Sequence, residues 1–121
     1  MLYSLAHTSL LVSDTTRALE FYCDVLGLSL DHARPDLGYP GAWLELGGQQ
    51  IHLLELPNPD PTEGRPAHGG RDRHVAVYID NLSSLQAALD AQNIVYTLSR
   101  SGRRALFCRD PDGNALEFIE Q

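Results

Sequence analysis

Apolar and polar positions along the chain follow the same order of elements twice. Runs of aliphatic and β-branched residues predict strands, and apolar residues at three- and four-residue spacing predict helices. The first half predicts a strand, a helix and three strands, at 3–12, after 13–16, and at 28–33, 41–46 and 50–56. The second half predicts the same order, at 73–79, after 80–81, and at 94–98, 104–109 and 114–120. This order indicates an α+β protein with an internal repeat.

The segment 57–72 separates the two halves and is typical of a loop. It holds four of the seven prolines and three of the ten glycines of the chain. A chain of 121 residues has the length of one domain. We therefore expect a single domain, 1–121, made of two modules at about 1–56 and 73–121 that this loop joins.

Four polar residues fall at equivalent places in the two halves. His7 opens the first half and His74 opens the second, while His52 and Glu117 each lie inside an apolar strand four residues after a Gly. The separations nearly agree, because His52 follows His7 by 45 positions and Glu117 follows His74 by 43. A polar side chain inside a strand needs a partner if its face is buried.

Three imidazoles and one carboxylate form a ligand set with a defined metal preference. Such a set suits Fe(II), Ni(II), Co(II), Mn(II) or Zn(II) and is poor for Ca(II) or Mg(II). We predict that these four residues hold one divalent ion, identity open, the alternative being four separate hydrogen-bonded strand residues. The other two histidines, His32 and His68, lie in polar or Gly/Pro-rich stretches and are expected to be exposed.

Composition excludes some classes of partner and indicates the cellular compartment. The 16 acidic and nine basic residues give a net charge of −7, which argues against nucleic acid or an anionic membrane as partner. All basic residues are Arg, so a Schiff-base lysine is excluded. Cys23 and Cys108 predict free thiols in a reducing compartment, and no apolar run has the roughly 20 residues of a membrane span. With no basic region at the start, we expect a cytoplasmic protein.

Several segments together resemble the vicinal oxygen chelate superfamily, also called the glyoxalase/bleomycin resistance/dioxygenase fold. They are AHTSLLVSD at 6–14, FYCDVLGL at 21–28, GAWLELGGQQIHLLELP at 41–57, RHVAVYID at 73–80 and DPDGNALEFIEQ at 110–121. The resemblance implies two βαβββ modules with curved mixed sheets. It also implies a divalent metal that chelates two vicinal oxygens of a small-molecule substrate, and a homodimer in which the metal site can combine modules of both chains.

The resemblance also implies roles for individual residues. His7 and His74 match the first-strand ligands of the two modules, Glu117 matches the carboxylate of the last strand, and His52 matches the fourth-strand ligand position. In glyoxalase I that fourth-strand position is usually a Glu that can act as a base, so Glu117 and His52 are the candidate catalytic residues. Leu11 and Leu56 replace an Arg and an Asn that help glyoxalase I to hold glutathione, so standard lactoylglutathione lyase activity is not expected.

The implied function is a divalent-metal-dependent, glyoxalase-like lyase or isomerase that works through a metal-stabilised enediolate, with Glu117 moving the proton. Three alternatives remain open. One is a non-haem Fe(II) dioxygenase with His7, His74 and Glu117 as its facial triad. Another is a thiol transferase that opens an epoxide antibiotic, with the arginines of SRSGRR at 99–104 as an anion site rather than a solvated hairpin. The last is a metal-free drug-binding protein.

Overall fold

Each half of the chain folds around a four-stranded mixed sheet. The computed structural model describes residues 1–121, which form two units, Met1–Asp60 and Pro61–Gln121. We refer to them as the N-terminal and the C-terminal unit. Their boundary lies inside the predicted loop 57–72.

The N-terminal unit contains one helix and four strands. They are β1 (His7–Val12), α1 (Thr15–Leu19), which continues as a π-helical segment (Glu20–Val25), β2 (Ser29–Leu30), β3 (Gly41–Leu46) and β4 (Gln49–Glu55). The strand order is β1-β4-β3-β2, with β1 parallel to β4 and the other pairs antiparallel. The first strand is therefore an edge strand beside the last strand of its unit.

Short-range contacts determine where the helix of the N-terminal unit begins and ends. The Asp14 side chain accepts a hydrogen bond from the Arg17 backbone N–H, which caps the helix. Its apolar face buries Ala18, Phe21 and Tyr22. Gly27 has a φ of +79°, the left-handed conformation that ends a helix and that favours glycine.

The C-terminal unit repeats this plan. It contains a 3-10 turn (Gly69–Arg71), β5 (His74–Ile79), α2 (Leu82–Ala91), β6 (Tyr96–Leu98), β7 (Ala105–Arg109) and β8 (Ala115–Glu120). The strand order is β5-β8-β7-β6, again with the first strand parallel to the last. The Asn81 side chain caps α2 by accepting from the Ser84 N–H. The α+β class and the two βαβββ-like modules are thus confirmed.

The same kind of contact occurs once within each unit, and the sequence pattern did not reveal it. In each unit a glutamate at the end of the last strand accepts a hydrogen bond from the first N–H of the helix. Glu55 Oε1 accepts from Thr15 N at 2.8 Å, and Glu120 Oε2 accepts from Leu82 N at 2.8 Å. A carboxylate is favoured there because the first N–H groups of a helix lack partners within it.

Three predicted strands are at least two residues shorter in the structure, and the one predicted at 94–98 is limited to Tyr96–Leu98. The strand predicted at 3–12 begins only at His7, because residues before Ala6 have no neighbouring strand to pair with, and Met1–Leu5 are exposed. The strand predicted at 28–33 is reduced to Ser29–Leu30. No helix of the chain is both long enough and apolar enough to cross a membrane.

Candidate metal centre

The N-terminal unit brings two of the four predicted ligands into contact. His7 begins the edge strand β1, and His52 lies on the neighbouring strand β4. Their rings are stacked, with centroids 3.9 Å apart and planes 15° from parallel. On the other side of β4, Trp43 from β3 stacks on His52 at 4.5 Å. Three aromatic rings therefore form a ladder across three strands of the sheet.

The protonation of His52 follows from its surroundings. Burial lowers the pKa of His52, the nearby His7 and Arg34 lower it further, and Asp31 opposes them. This shift favours the neutral form of the ring, in which only one nitrogen carries a proton. Its Nε2 lies 2.8 Å from Gln50 Oε1, an acceptor, so Nε2 carries the proton and Nδ1 holds the free lone pair. Because the lone pairs of stacked rings do not converge, binding one ion with both would require an imidazole to rotate.

The C-terminal unit brings the other two predicted ligands together. His74 opens β5, Glu117 lies on the adjacent strand β8, and His74 Nε2 is 3.3 Å from Glu117 Oε2. Two ligand atoms bound to one ion at about 2.0–2.2 Å lie about 3–3.5 Å apart, so this spacing fits a shared ion. Glu117 is 4% exposed, and Asp110 is the other buried acidic residue of the chain.

A hydrogen bond at Nδ1 fixes the orientation of the His74 ring. Its Nδ1 donates a hydrogen bond to the Asp72 carbonyl oxygen at 2.9 Å, which leaves Nε2 directed to Glu117. Histidines that bind metals usually donate their other N–H to a carbonyl or carboxylate in this way. Phe107 from β7 packs edge-on against the same ring, with centroids 5.2 Å apart.

Asp72 is itself held by two arginines. Arg65 donates to it twice, at 2.8 and 2.6 Å, and Arg109 donates once at 2.8 Å. The hydrogen bonds from Arg65, and after them those from Arg109 and the Arg73 N–H, hold the pKa of this carboxyl far below its usual range. This network ties the end of the loop 57–72 to β7 and so positions the carbonyl that orients His74.

The second oxygen of Glu117 also has a partner. Arg103 Nη2 lies 3.2 Å from Glu117 Oε1, and the Arg103 side chain is 57% exposed. Glu117 therefore stands between an imidazole and a guanidinium.

The structure thus assembles the four predicted ligands as two pairs, one in each unit. Within neither unit do three or more His, Cys, Asp or Glu side chains gather so that they could hold a metal ion. Each unit supplies two donors. The complete set of four stays a prediction.

The remaining predicted positions are located as follows. His32 is exposed as expected, whereas His68 is not: it is half-buried, with Nδ1 2.6 Å from Thr97 Oγ1 and its ring against Phe107. His68 departs from the prediction because the loop folds back onto β6 and β7. Both cysteines are free, and burial raises the pKa of Cys108 to about 12.

Three contact residues were missed from the sequence: Gln50, Asp72 and Arg103. Asp72 contacts His74 through its backbone carbonyl, which no side-chain pattern indicates. Gln50 lies two residues before His52 in the same strand, which is the spacing that returns a strand side chain to the same face. That spacing was an available signal. Arg103 is 14 residues from Glu117, and only the formed hairpin of β7 and β8 shows the contact.

The C-terminal unit also contains a cavity of about 240 Å³, whose lining includes neither His74 nor Glu117. Its lining includes Ala67 and Gly69 from the loop, Thr97 from β6, and Phe107 and Arg109 from β7. Phe107, whose ring contacts His74, is thus shared by the cavity and the His74–Glu117 pair. Besides its hydrogen bond to Asp72, Arg109 donates to the carbonyl oxygens of Gly113 and Pro66.

Comparison with known proteins identifies the family to which the chain belongs. The family model of the Glyoxalase/Bleomycin resistance protein/Dioxygenase superfamily matches residues 4–118. The chain is 31% identical to Glyoxylase I 4 of Arabidopsis thaliana, over 97% of this chain and 70% of that protein. It is 32% identical to a lactoylglutathione lyase of Haemophilus influenzae, over 94% of this chain and 90% of that protein.

A solved structure shows the same fold at lower identity. A mutant of the fosfomycin resistance protein FosX from Listeria monocytogenes superposes with a TM-score of 0.79 at 16% identity. The match covers 99% of this chain and 93% of that one. That structure is a complex with Mn(II) and 1S,2S-dihydroxypropylphosphonic acid.

Proposed function

The chain belongs to the Glyoxalase/Bleomycin resistance protein/Dioxygenase superfamily, and from this premise we propose that it is a divalent-metal-dependent lyase or isomerase of glyoxalase-like type. Its substrate is a small molecule with two neighbouring oxygen atoms. His7, His52, His74 and Glu117 hold the ion, with one pair from each unit.

The His74–Glu117 pair carries this proposal. Its donor atoms have the separation that two ligands of one ion require. The Asp72 carbonyl accepts from Nδ1 and so favours the ring tautomer whose free lone pair, on Nε2, faces Glu117. Imidazole and carboxylate donors suit Ni(II), Co(II), Zn(II), Mn(II) or Fe(II). The neutral His52, whose free lone pair is on Nδ1, suits the same ions.

The reaction follows from what these residues can do with a proton. A bound divalent ion would act as a Lewis acid toward the two substrate oxygens. Glu117, alternating between ligand and base, would accept a proton from the carbon that carries the hydroxyl group and return it to the adjacent carbonyl carbon. The hydroxyl proton moves to the former carbonyl oxygen, so the substrate is isomerised without an oxidant or reductant. The burial of Glu117 beside β7 keeps water from competing for the proton that it moves. His52 is the second candidate base, as a neutral ring.

The complete site would need donors from two units. The family resemblance implies a homodimer, and we propose that the ligands of one site come from units of both chains. The cavity beside Phe107 offers space for a small substrate, and residues of the loop 57–72 line it. Leu11 and Leu56, which cannot donate hydrogen bonds to the carboxylates of glutathione, argue against the standard glutathione adduct as substrate.

A second candidate function is metal-free binding of a small molecule. It is favoured by one observation: two predicted ligands already have protein partners, since His52 contacts Gln50 and Glu117 contacts Arg103. A protein that never binds metal would retain such contacts, because buried polar groups need partners.

Metal analysis followed by assay distinguishes these functions. The protein is purified without an affinity tag and its metal content is measured before and after reconstitution with each ion. We expect about one Ni, Co, Zn or Mn per chain, with turnover of hemithioacetal or epimerase substrates. Iron with oxygen uptake on catechols would instead show a dioxygenase. No bound metal after any reconstitution would refute the proposal and leave the metal-free binding function.

A further inference from the structure

Arg103 makes a contact that a metal ligand does not need. Its Nη2 lies 3.2 Å from Glu117 Oε1, while His74 Nε2 faces the other oxygen of the same carboxylate at 3.3 Å. Both oxygens of a buried carboxylate are thus matched by cationic or potentially cationic groups. The carboxylate side chain is 5% exposed, whereas the arginine side chain is 57% exposed.

Arg103 is directed at Glu117 by its own loop. Its Nε lies 3.3 Å from Ser101 Oγ, and Ser101 Oγ is 2.8 Å from Ser99 Oγ. The adjacent Arg104 takes the opposite course, donating to Glu120 Oε1 at 2.6 Å and to Ser83 Oγ. The two neighbouring arginines therefore pair with two glutamates on opposite faces of β8. Of the two, only Arg103 contacts a predicted metal ligand.

We propose that Arg103 is a built-in competitor of the divalent ion: it neutralises Glu117 through Oε1 when the site has no metal, and its guanidinium is repelled when the ion binds to the same carboxylate. The proposal rests on the proposed function, since it requires Glu117 to be a metal ligand. Its consequence is that Arg103 lowers the metal affinity of the site and turns toward solvent in the loaded protein.

Electrostatics predicts the direction in which the Arg103 charge changes the metal affinity. Glu117 has to share its negative charge between the guanidinium on Oε1 and the ion, and a guanidinium beside a divalent ion repels it. Both effects oppose metal binding, so removal of the arginine charge should tighten it. The exposed guanidinium is partly screened by water, which keeps the effect small and makes it weaker at high salt.

The test is a calorimetric titration of the full-length protein with Ni(II). Arg103→Gln should bind Ni(II) about threefold to fivefold more tightly than the wild type, the size expected for one solvent-screened ion pair. Arg100→Gln is the matched control, because it removes the same charge from the same hairpin and Arg100 is exposed. That control should bind as the wild type does.

A second measurement avoids substitution altogether. The wild type is treated with 1,2-cyclohexanedione, an arginine reagent, and modification is quantified by peptide mass spectrometry with and without Ni(II). Arg103 should react faster in the loaded protein, while Arg100 should react equally in both.

The outcomes separate this proposal from the proposed function. If wild-type binding depends on Glu117 but Arg103→Gln does not tighten it, or Arg100→Gln tightens it equally, only the role of Arg103 is overturned. Slower modification of Arg103 in the loaded protein would also overturn it. If the wild type binds none of the ions used in the reconstitution, or if it and Glu117→Gln bind Ni(II) equally well, the proposed function fails and the role of Arg103 fails with it.

Discussion

Replacing Asp72 by Asn should destabilise the C-terminal unit. The carboxylate accepts two hydrogen bonds from Arg65, one from Arg109 and one from the Arg73 N–H. An amide keeps only one acceptor oxygen and turns an NH₂ group toward a guanidinium. A hydrogen bond to a charged group contributes about 1.5–3 kcal/mol, but the arginines are 21% and 25% exposed, so water recovers part of the loss. We expect a loss of about 2 kcal/mol in the free energy of unfolding.

Urea unfolding followed by circular dichroism measures this loss. Asp24→Asn is the matched control, because Asp24 is exposed, and it should unfold as the wild type does. A change in Asp72→Asn below about 0.5 kcal/mol, the usual range of surface substitutions, would refute the reasoning.

The pH dependence provides an independent check of the same network. Because folding lowers the pKa of Asp72, its stabilisation is complete above the unfolded pKa of about 4 and is lost as the pH falls below it. The stability gap between wild type and Asp72→Asn should therefore be constant near neutral pH and shrink in acid. A gap that widens in acid would contradict the assignment.

Three further predictions address other parts of the chain. Glu55→Gln should lower the free energy of unfolding by about 1 kcal/mol, because Thr15 N–H loses a charged acceptor at the helix start, and thermal or urea unfolding checks this. Iodoacetamide at pH 8 should leave Cys108 unmodified until the protein unfolds, since burial raises its pKa to about 12; early alkylation by mass spectrometry would contradict this. Ni(II) should quench the fluorescence of Trp43, the single tryptophan, in the wild type but not in His52→Ala, because the two rings are stacked.

The sequence predicted most of the fold because local chemistry determines it. The helix caps at Asp14 and Asn81 and the turn at Gly113, where φ is +84°, are all short-range features. The strand at 41–46 has the predicted bounds. The π-helical segment Glu20–Val25 was not predicted, since a change of one residue in helical spacing leaves the apolar pattern almost unaltered.

The candidate site was predicted in part. The repeat identified His7 with His52 and His74 with Glu117, and the structure places each pair in contact because the first and last strands of a unit are neighbours. The contacts from Arg103 and from the Arg65–Asp72–Arg109 network were not predicted. They join residues distant in sequence through loops, whose paths depend on tertiary packing rather than on periodicity.

The central claim is that both pairs serve one divalent ion, and the stoichiometry of Ni(II) binding tests it most directly. Equilibrium dialysis is performed on the wild type, His52→Ala from the N-terminal unit, Glu117→Gln from the C-terminal unit, and Glu20→Gln as an exposed control. We predict one ion per chain in the wild type and control, with at least about tenfold weaker binding in each ligand variant. Two independent ions per chain, or unchanged binding in either ligand variant, would contradict the account.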